Sequence, residues 1–130
     1  MSNVPETLQY TKDHEWVRQE ADGTLVVGIT HHAQNQLGEL VYVELPEAGR
    51  SLQPGEAMAV VESTKAASDV YAPLAGSVLG VNPALTAEPE LVNSDPYGAG
   101  WLVRLRPAAS GPLPGLLDAP AYTALLDADH

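Results

Sequence analysis

The chain contains no cysteine and no phenylalanine, and only Lys12 and Lys65 of its 130 residues are lysine. Without thiols there is no disulfide framework, no thiolate nucleophile and no Cys-based zinc or iron–sulfur site, so redox chemistry has to be borrowed from a cofactor. Two Trp and five Tyr leave an aromatic-poor interior to be filled by Val, Leu, Ile and Ala. No apolar run is long enough to span a bilayer, and no membrane partner is expected. The segment Met1-Ser2-Asn3-Val4-Pro5 has neither the basic and apolar regions of a secretory signal nor the Arg-rich pattern of a transit peptide, so a cytoplasmic, bacterial protein is expected.

Positive charge is also scarce. Six Lys and Arg face seventeen Asp and Glu, giving a formal net charge of −11, which opposes binding to a phosphate backbone and removes nucleic acid from the expected partners. The acids are spread along the chain rather than gathered in a block. They fit a solvated surface and a docking surface for basic partners equally well.

Eleven Gly and eleven Pro are too many for a helical bundle, while 45% hydrophobic content supports a modest core. One domain over residues 1–130 is expected, with a core over about 8–107, a linker over about 108–117 and a C-terminal helix over about 118–127. His14–Glu20 and Thr24–Ile29 form an opening hairpin turned at Ala21-Asp22-Gly23. Thr30 caps a short helix through Leu37, closed by Gly38 and laid on a sheet through Ala33 and Leu37. Further strands follow at Glu39–Leu45, Ala57–Ser63, Ser68–Ala72, Ser77–Val81 and Trp101–Leu105. Residues 82–100 form a loop interrupted by Pro83, Pro89 and Pro96. After Gly111-Pro112-Leu113-Pro114-Gly115, Asp118 caps the terminal helix with Pro120 in its first turn. Short, closely spaced strands of this kind build two small sheets packed face to face.

Lys65 sits where two strand-like runs meet, in Val60-Val61-Glu62-Ser63-Thr64-Lys65-Ala66-Ala67-Ser68-Asp69-Val70-Tyr71. Its small neighbours cannot shelter it, so it projects from a hairpin tip and lacks the burial that makes a lysine amine nucleophilic. Glu62 and Asp69 stabilise its ammonium form. The residue is better suited to be modified by another enzyme, whose active site can enclose the tip.

Beyond the tip, several motifs in order resemble one family, the H protein of the glycine cleavage system. They are Tyr10 to Val17, Gly28 to Thr30, His32 to Gln34, Leu37 to Glu39, Val43 to Pro46, Val61 to Asp69, Tyr71 to Pro73, Gly76, and Asn93 to Trp101. The resemblance implies a mostly β fold, a barrel-sandwich hybrid of two small antiparallel sheets of lipoyl/biotinyl type. A short helix follows its second strand, and a second helix ends the chain. It also implies that Lys65 carries lipoate as an amide and that the protein is a carrier, not an enzyme. In that family a pyridoxal-phosphate glycine decarboxylase (P protein) loads an aminomethyl group, a tetrahydrofolate-dependent aminomethyltransferase (T protein) removes it, and dihydrolipoamide dehydrogenase (L protein) reoxidises the arm. The cofactor does the hard chemistry and the protein supplies orientation and reach. Glu62, Gly49 and Gly76 match family positions that present the hairpin to a lipoate ligase or lipoyltransferase. Asp13, Glu15, Gln36, Leu37 and Asp69 match a cleft that holds the loaded arm.

The alternatives are a lipoyl donor or relay protein and a biotinyl-type carrier. Biotinyl lysines are flanked by methionine, whereas Thr64 and Ala66 stand here. A lipoyl domain of a 2-oxo acid dehydrogenase lacks the His14-Glu15-Trp16 stretch and the terminal helix. A metal-dependent hydrolase needs a second histidine spaced to share one metal ion, which His14-Glu15-Trp16-Val17-Arg18 lacks, and adjacent His31 and His32 point to different faces. The scarcity of lysine also follows from codon bias toward Ala, Pro, Leu and Arg. His31 departs from the acid that the family places at the start of the short helix, and a protonated histidine there opposes the helix dipole. Amide protection in this helix, corrected for intrinsic exchange, should therefore be slightly lower at about pH 5 than at about pH 8 in the protein, a difference that His31→Asp removes. Identical exchange in the two proteins would contradict this.

Overall fold

The computed structural model describes residues 6–108 and 116–128; the Gly111–Gly115 linker and the segment Met1–Pro5 lie outside the described residues. In chain order its elements begin with β1 (Gln9–Tyr10), β2 (Glu15–Gln19), β3 (Leu25–Ile29), α1 (His31–Leu37) and β4 (Leu40–Glu44). The chain continues through β5 (Ser51–Leu52), β6 (Ala57–Ser63), β7 (Ala67–Tyr71) and β8 (Gly76–Val81). It ends with α2 (Ala84–Ala87), α3 (Leu91–Ser94), β9 (Val103–Pro107) and α4 (Ala119–Ala128). A six-stranded sheet has the order β1-β2-β3-β9-β8-β5, and a three-stranded sheet the order β4-β6-β7. Every strand pairing is antiparallel.

The two sheets share one core. Val17, Leu25 and Val27 from the larger sheet join Leu40, Val43, Val61 and Val70 from the smaller in a single buried cluster. All of β3 is buried because both its faces are covered. Leu25, Val27 and Ile29 belong to the shared core, while Val26 joins Tyr10, Trp16, Ala119 and Tyr122 in a second cluster. Thus α4 covers the outer face of the larger sheet, with the Tyr10 and Tyr122 rings stacked at 4.6 Å. Asp118 caps α4 as expected, its Oδ1 accepting from the Ala121 N–H at 2.9 Å.

The expected barrel-sandwich architecture is the one observed, with four differences in detail. β1 and β5 span two residues each, too short for period-two alternation to register. Because β1 precedes the opening hairpin, α1 follows the third strand instead of the second. The loop expected over residues 82–100 contains the single turns α2 and α3, since proline is compatible with a helix start and Pro83 stands at the start of α2. Trp101 and Leu102 precede β9, yet their backbones are bonded: the Leu102 N–H reaches the Val27 carbonyl at 2.9 Å, and the Asn82 amide donates to the Trp101 carbonyl at 2.9 Å.

The outer face of β2 leaves no room for a side chain opposite Trp16. The indole is fully buried and donates to the Pro96 carbonyl at 2.8 Å, while a Cβ placed on Gly28, its cross-strand partner, would come within 2.6 Å of the ring. Gly28→Ala should therefore cost about 1–3 kcal/mol through overpacking, read as a lower urea midpoint with an unchanged slope. A wild-type midpoint would contradict this packing.

Candidate functional site

The hairpin of β6 and β7 is closed by one hydroxyl. Ser63 Oγ accepts from the backbone N–H groups of Ala66 at 3.1 Å and Lys65 at 3.3 Å, and the Ser63 N–H donates to the Ala66 carbonyl at 2.8 Å. Serine in such a local turn fixes the loop without bulk. Thr64 to Asp69 are all exposed, and Lys65 takes part in none of the ion pairs among the described residues. Its stem lies back over Gly38 at the end of α1, where a Cβ would stand 3.3 Å from Lys65 Cε and 3.9 Å from Nζ. These residues fit an acyl-lysine: the amine is reachable, its neighbours are small, and loss of its charge breaks no ion pair.

Glu62 is half-buried on β6, opposite Tyr42 and Ala67. Gly49 and Gly76 lie on separate clefts of about 620 Å³ and about 360 Å³. Each has a backbone reason to be glycine. Gly49 has a φ of +92° while its N–H reaches the Val78 carbonyl at 2.7 Å, and a Cβ on Gly76 would meet the Arg106 carbonyl oxygen at 2.5 Å.

A third cleft, of about 440 Å³, is lined in part by Thr11, Asp13, Glu15, Gly55, Ala72 and Leu116. Glu15 is only 2% exposed. Its Oε2 accepts from the Tyr71 N–H at 2.6 Å and its Oε1 from the Thr11 hydroxyl at 3.1 Å, so one carboxylate joins β2 of the larger sheet to β7 of the smaller. Asp69 lies two positions before Tyr71, about 7 Å along the strand. Gln36 is exposed and Leu37 half-buried at the end of α1, which Gly38 closes. The structure thus brings Asp13 and Glu15 into one cleft, while Gln36, Leu37 and Asp69 are not part of the cleft lining.

Burial raises the Glu15 carboxyl from its ordinary 4.5 to about 7; the Tyr71 and Thr11 hydrogen bonds pull the other way, and the nearby Asp13 carboxylate adds to the rise. Below about pH 4.5 the folded and unfolded states both hold the proton. Between about 4.5 and about 7 the unfolded chain ionises while the folded one does not, so stability is lost as pH rises through that window. Glu15→Gln should gain on the parent protein by about 3 kcal/mol from the bottom to the top of this window, measured by urea unfolding. A stability difference independent of pH would contradict the assignment.

Two residues near Lys65 received no role from sequence reasoning beyond Gly38 closing the helix. Gly38 has φ +86° and ψ −168°, a region open essentially to glycine alone. Asn93, on α3, donates from Nδ2 to the Gly38 carbonyl at 2.8 Å and to Gln34 Oε1 at 2.9 Å, and its Oδ1 accepts from the Leu40 N–H at 2.8 Å. The only sequence signal for Asn93 was its place at the start of a family-like stretch. Among the described residues no cluster of His, Cys, Asp or Glu is arranged to hold a metal ion. The His14 ring packs on His32 at 4.5 Å, and His31 Nδ1 is 3.1 Å from the Gln34 amide nitrogen. No described helix is long and apolar enough to cross a membrane.

Comparison with known proteins agrees over nearly the full length. The family model for the glycine cleavage H-protein matches residues 8–129. A glycine cleavage system H protein from Halorhodospira halophila is 61% identical over 126 residues, covering 97% of this chain and 97% of the relative. Another from an Enterobacter species is 56% identical over 127 residues, covering 98% of each. Among solved structures, a glycine cleavage system H protein from Mycobacterium marinum superposes with a TM-score of 0.85 at 43% identity, covering 95% of this chain and 99% of that one. With its two antiparallel sheets and its exposed hairpin lysine, the chain belongs to the glycine cleavage H-protein family.

Proposed function

We propose that this chain is a single-domain cytoplasmic carrier that holds lipoate as an amide on Lys65. It takes the aminomethyl group of glycine from the decarboxylase to the tetrahydrofolate-dependent aminomethyltransferase, and dihydrolipoamide dehydrogenase then resets the arm. The observation that carries this reading is Lys65 itself, exposed on a loop closed by Ser63 and flanked only by small side chains, in a chain of this family. Bound lipoate would supply a dithiolane able to take up the carried group together with two electrons. Everything else falls to the protein's own side chains.

Small neighbours at Thr64, Ala66 and Ala67 let each partner's active site enclose the tip. Glu62 offers a carboxylate on the strand leading to the lysine, and the turns at Gly49 and Gly76 hold the strands that aim it. A carried aminomethyl group is cationic at neutral pH, so carboxylates at Asp13 and Asp69, joined by Glu15 as it ionises around pH 7, stabilise it by charge-assisted hydrogen bonds. Gln36 and Leu37 flank the path between the lysine and that acidic region. The net charge of −11 steers the carrier toward basic surfaces on its partners.

Lys65→Arg should abolish attachment by a lipoate ligase and ATP and reduce glycine–bicarbonate exchange with the decarboxylase to background. Attachment that persists at Lys12 in this variant would overturn the assignment. The double variant Glu15→Gln with Asp69→Asn should be lipoylated normally yet lose its loaded group to hydrolysis several-fold faster. An unchanged lifetime would remove the acidic region from the carrier role.

A further inference from the structure

We propose that Asn93 is a positioning residue for acyl attachment, holding the corner on which the Lys65 side chain rests; this deepens the carrier reading and rests on it. The corner is the Gly38–Leu40 connection between α1 and β4. Within it the Gly38 N–H bonds the Gln34 carbonyl at 2.9 Å, while two further backbone groups turn to Asn93. Gly38 sits in a left-handed conformation at φ +86°, and its carbonyl together with the Leu40 N–H faces Asn93 across more than fifty residues of sequence.

Asn93 spends its whole side-chain amide on this task. Both Nδ2 protons are donated, to the Gly38 carbonyl at 2.8 Å and Gln34 Oε1 at 2.9 Å, and Oδ1 accepts the Leu40 N–H at 2.8 Å. The orientation of the amide is forced, because a carbonyl can only accept and a backbone N–H can only donate. Aspartate would set an oxygen against the Gly38 carbonyl, and leucine would leave both backbone groups unpaired. Asparagine is the residue of this size that satisfies a donor and an acceptor two positions apart.

Two routes lead from this amide to the lysine. In the first, Gly38 lies beneath the stem, so that a Cβ there would stand 3.3 Å from Lys65 Cε. In the second, Leu40 pairs with Ser63, whose hydroxyl closes the loop around Lys65. Asn93 therefore sets both the surface under the side chain and the register of the strand that ends at the loop. An attaching enzyme meets a lysine whose approach is already restricted, and less conformational freedom is lost on engagement.

The test uses the full unmodified chain, with Asn93→Leu as the probe and circular dichroism to establish that it folds. In the parent protein an NMR cross-peak between the Lys65 ε-methylene and the Gly38 α-protons is expected; it should vanish in Asn93→Leu. Attachment by a lipoate ligase should show kcat/KM lowered roughly three- to tenfold, mainly through KM, while the product is still modified only at Lys65. Asn93→Leu with parental kinetics would overturn the proposal, and so would absence of the cross-peak in the parent protein, even if the variant fails to fold. A parent chain that is never lipoylated at Lys65 would instead overturn the carrier reading, so the two failures are distinguishable.

Discussion

The Glu15 carboxylate, accepting the Tyr71 N–H at 2.6 Å, fixes how the small sheet stands on the large one. A three-stranded sheet cannot bury its own inner face, so β4, β6 and β7 depend on the larger sheet for their core. Apolar contact alone sets no direction along that interface, because it is roughly proportional to area and has no preferred geometry. A buried, doubly bonded carboxylate does set one. It costs stability at neutral pH, which is a reason to see its place in the core as a device of position and not of strength.

At the other end of the small sheet, the Asn93 amide holds the corner before β4. Between these two ties the hairpin is free to be exposed. Its outer edge is β7, and the residues from Thr64 to Asp69 are all exposed. Accessible lysine and rigid strand are usually in conflict, since exposed loops have few contacts to order them. Here Ser63 supplies the order from within the loop, and the large sheet, backed by α4, supplies the rigid base.

Much of this was legible in the sequence because the signals are local. Short strand-like runs bounded by turn residues placed β2, β3, β6 and β8 to within a residue or two, Thr30 and Gly38 marked both ends of α1, and Asp118 marked the start of α4. Small residues around Lys65 announced a hairpin tip. What stayed hidden was either too short or too distant. β1 and β5 have no room for a pattern, and α2 and α3 are single turns whose prolines read equally as loop. The grouping of Asp13 with Glu15 in a cleft could be named from family resemblance, but the Tyr71 bond that ties Glu15 to β7 depends on a sheet packing that no local pattern records. Asn93 is the same case: its three partners lie more than fifty residues upstream.

The central claim is that Lys65 alone carries the arm. Peptide mapping by mass spectrometry of the chain purified from its native host, grown with lipoate available, tests it most directly. A lipoyl group confined to the peptide containing Lys65, with Lys12 bare, is the predicted result. Lys65 unmodified in every preparation, or modification at Lys12 instead, would contradict it.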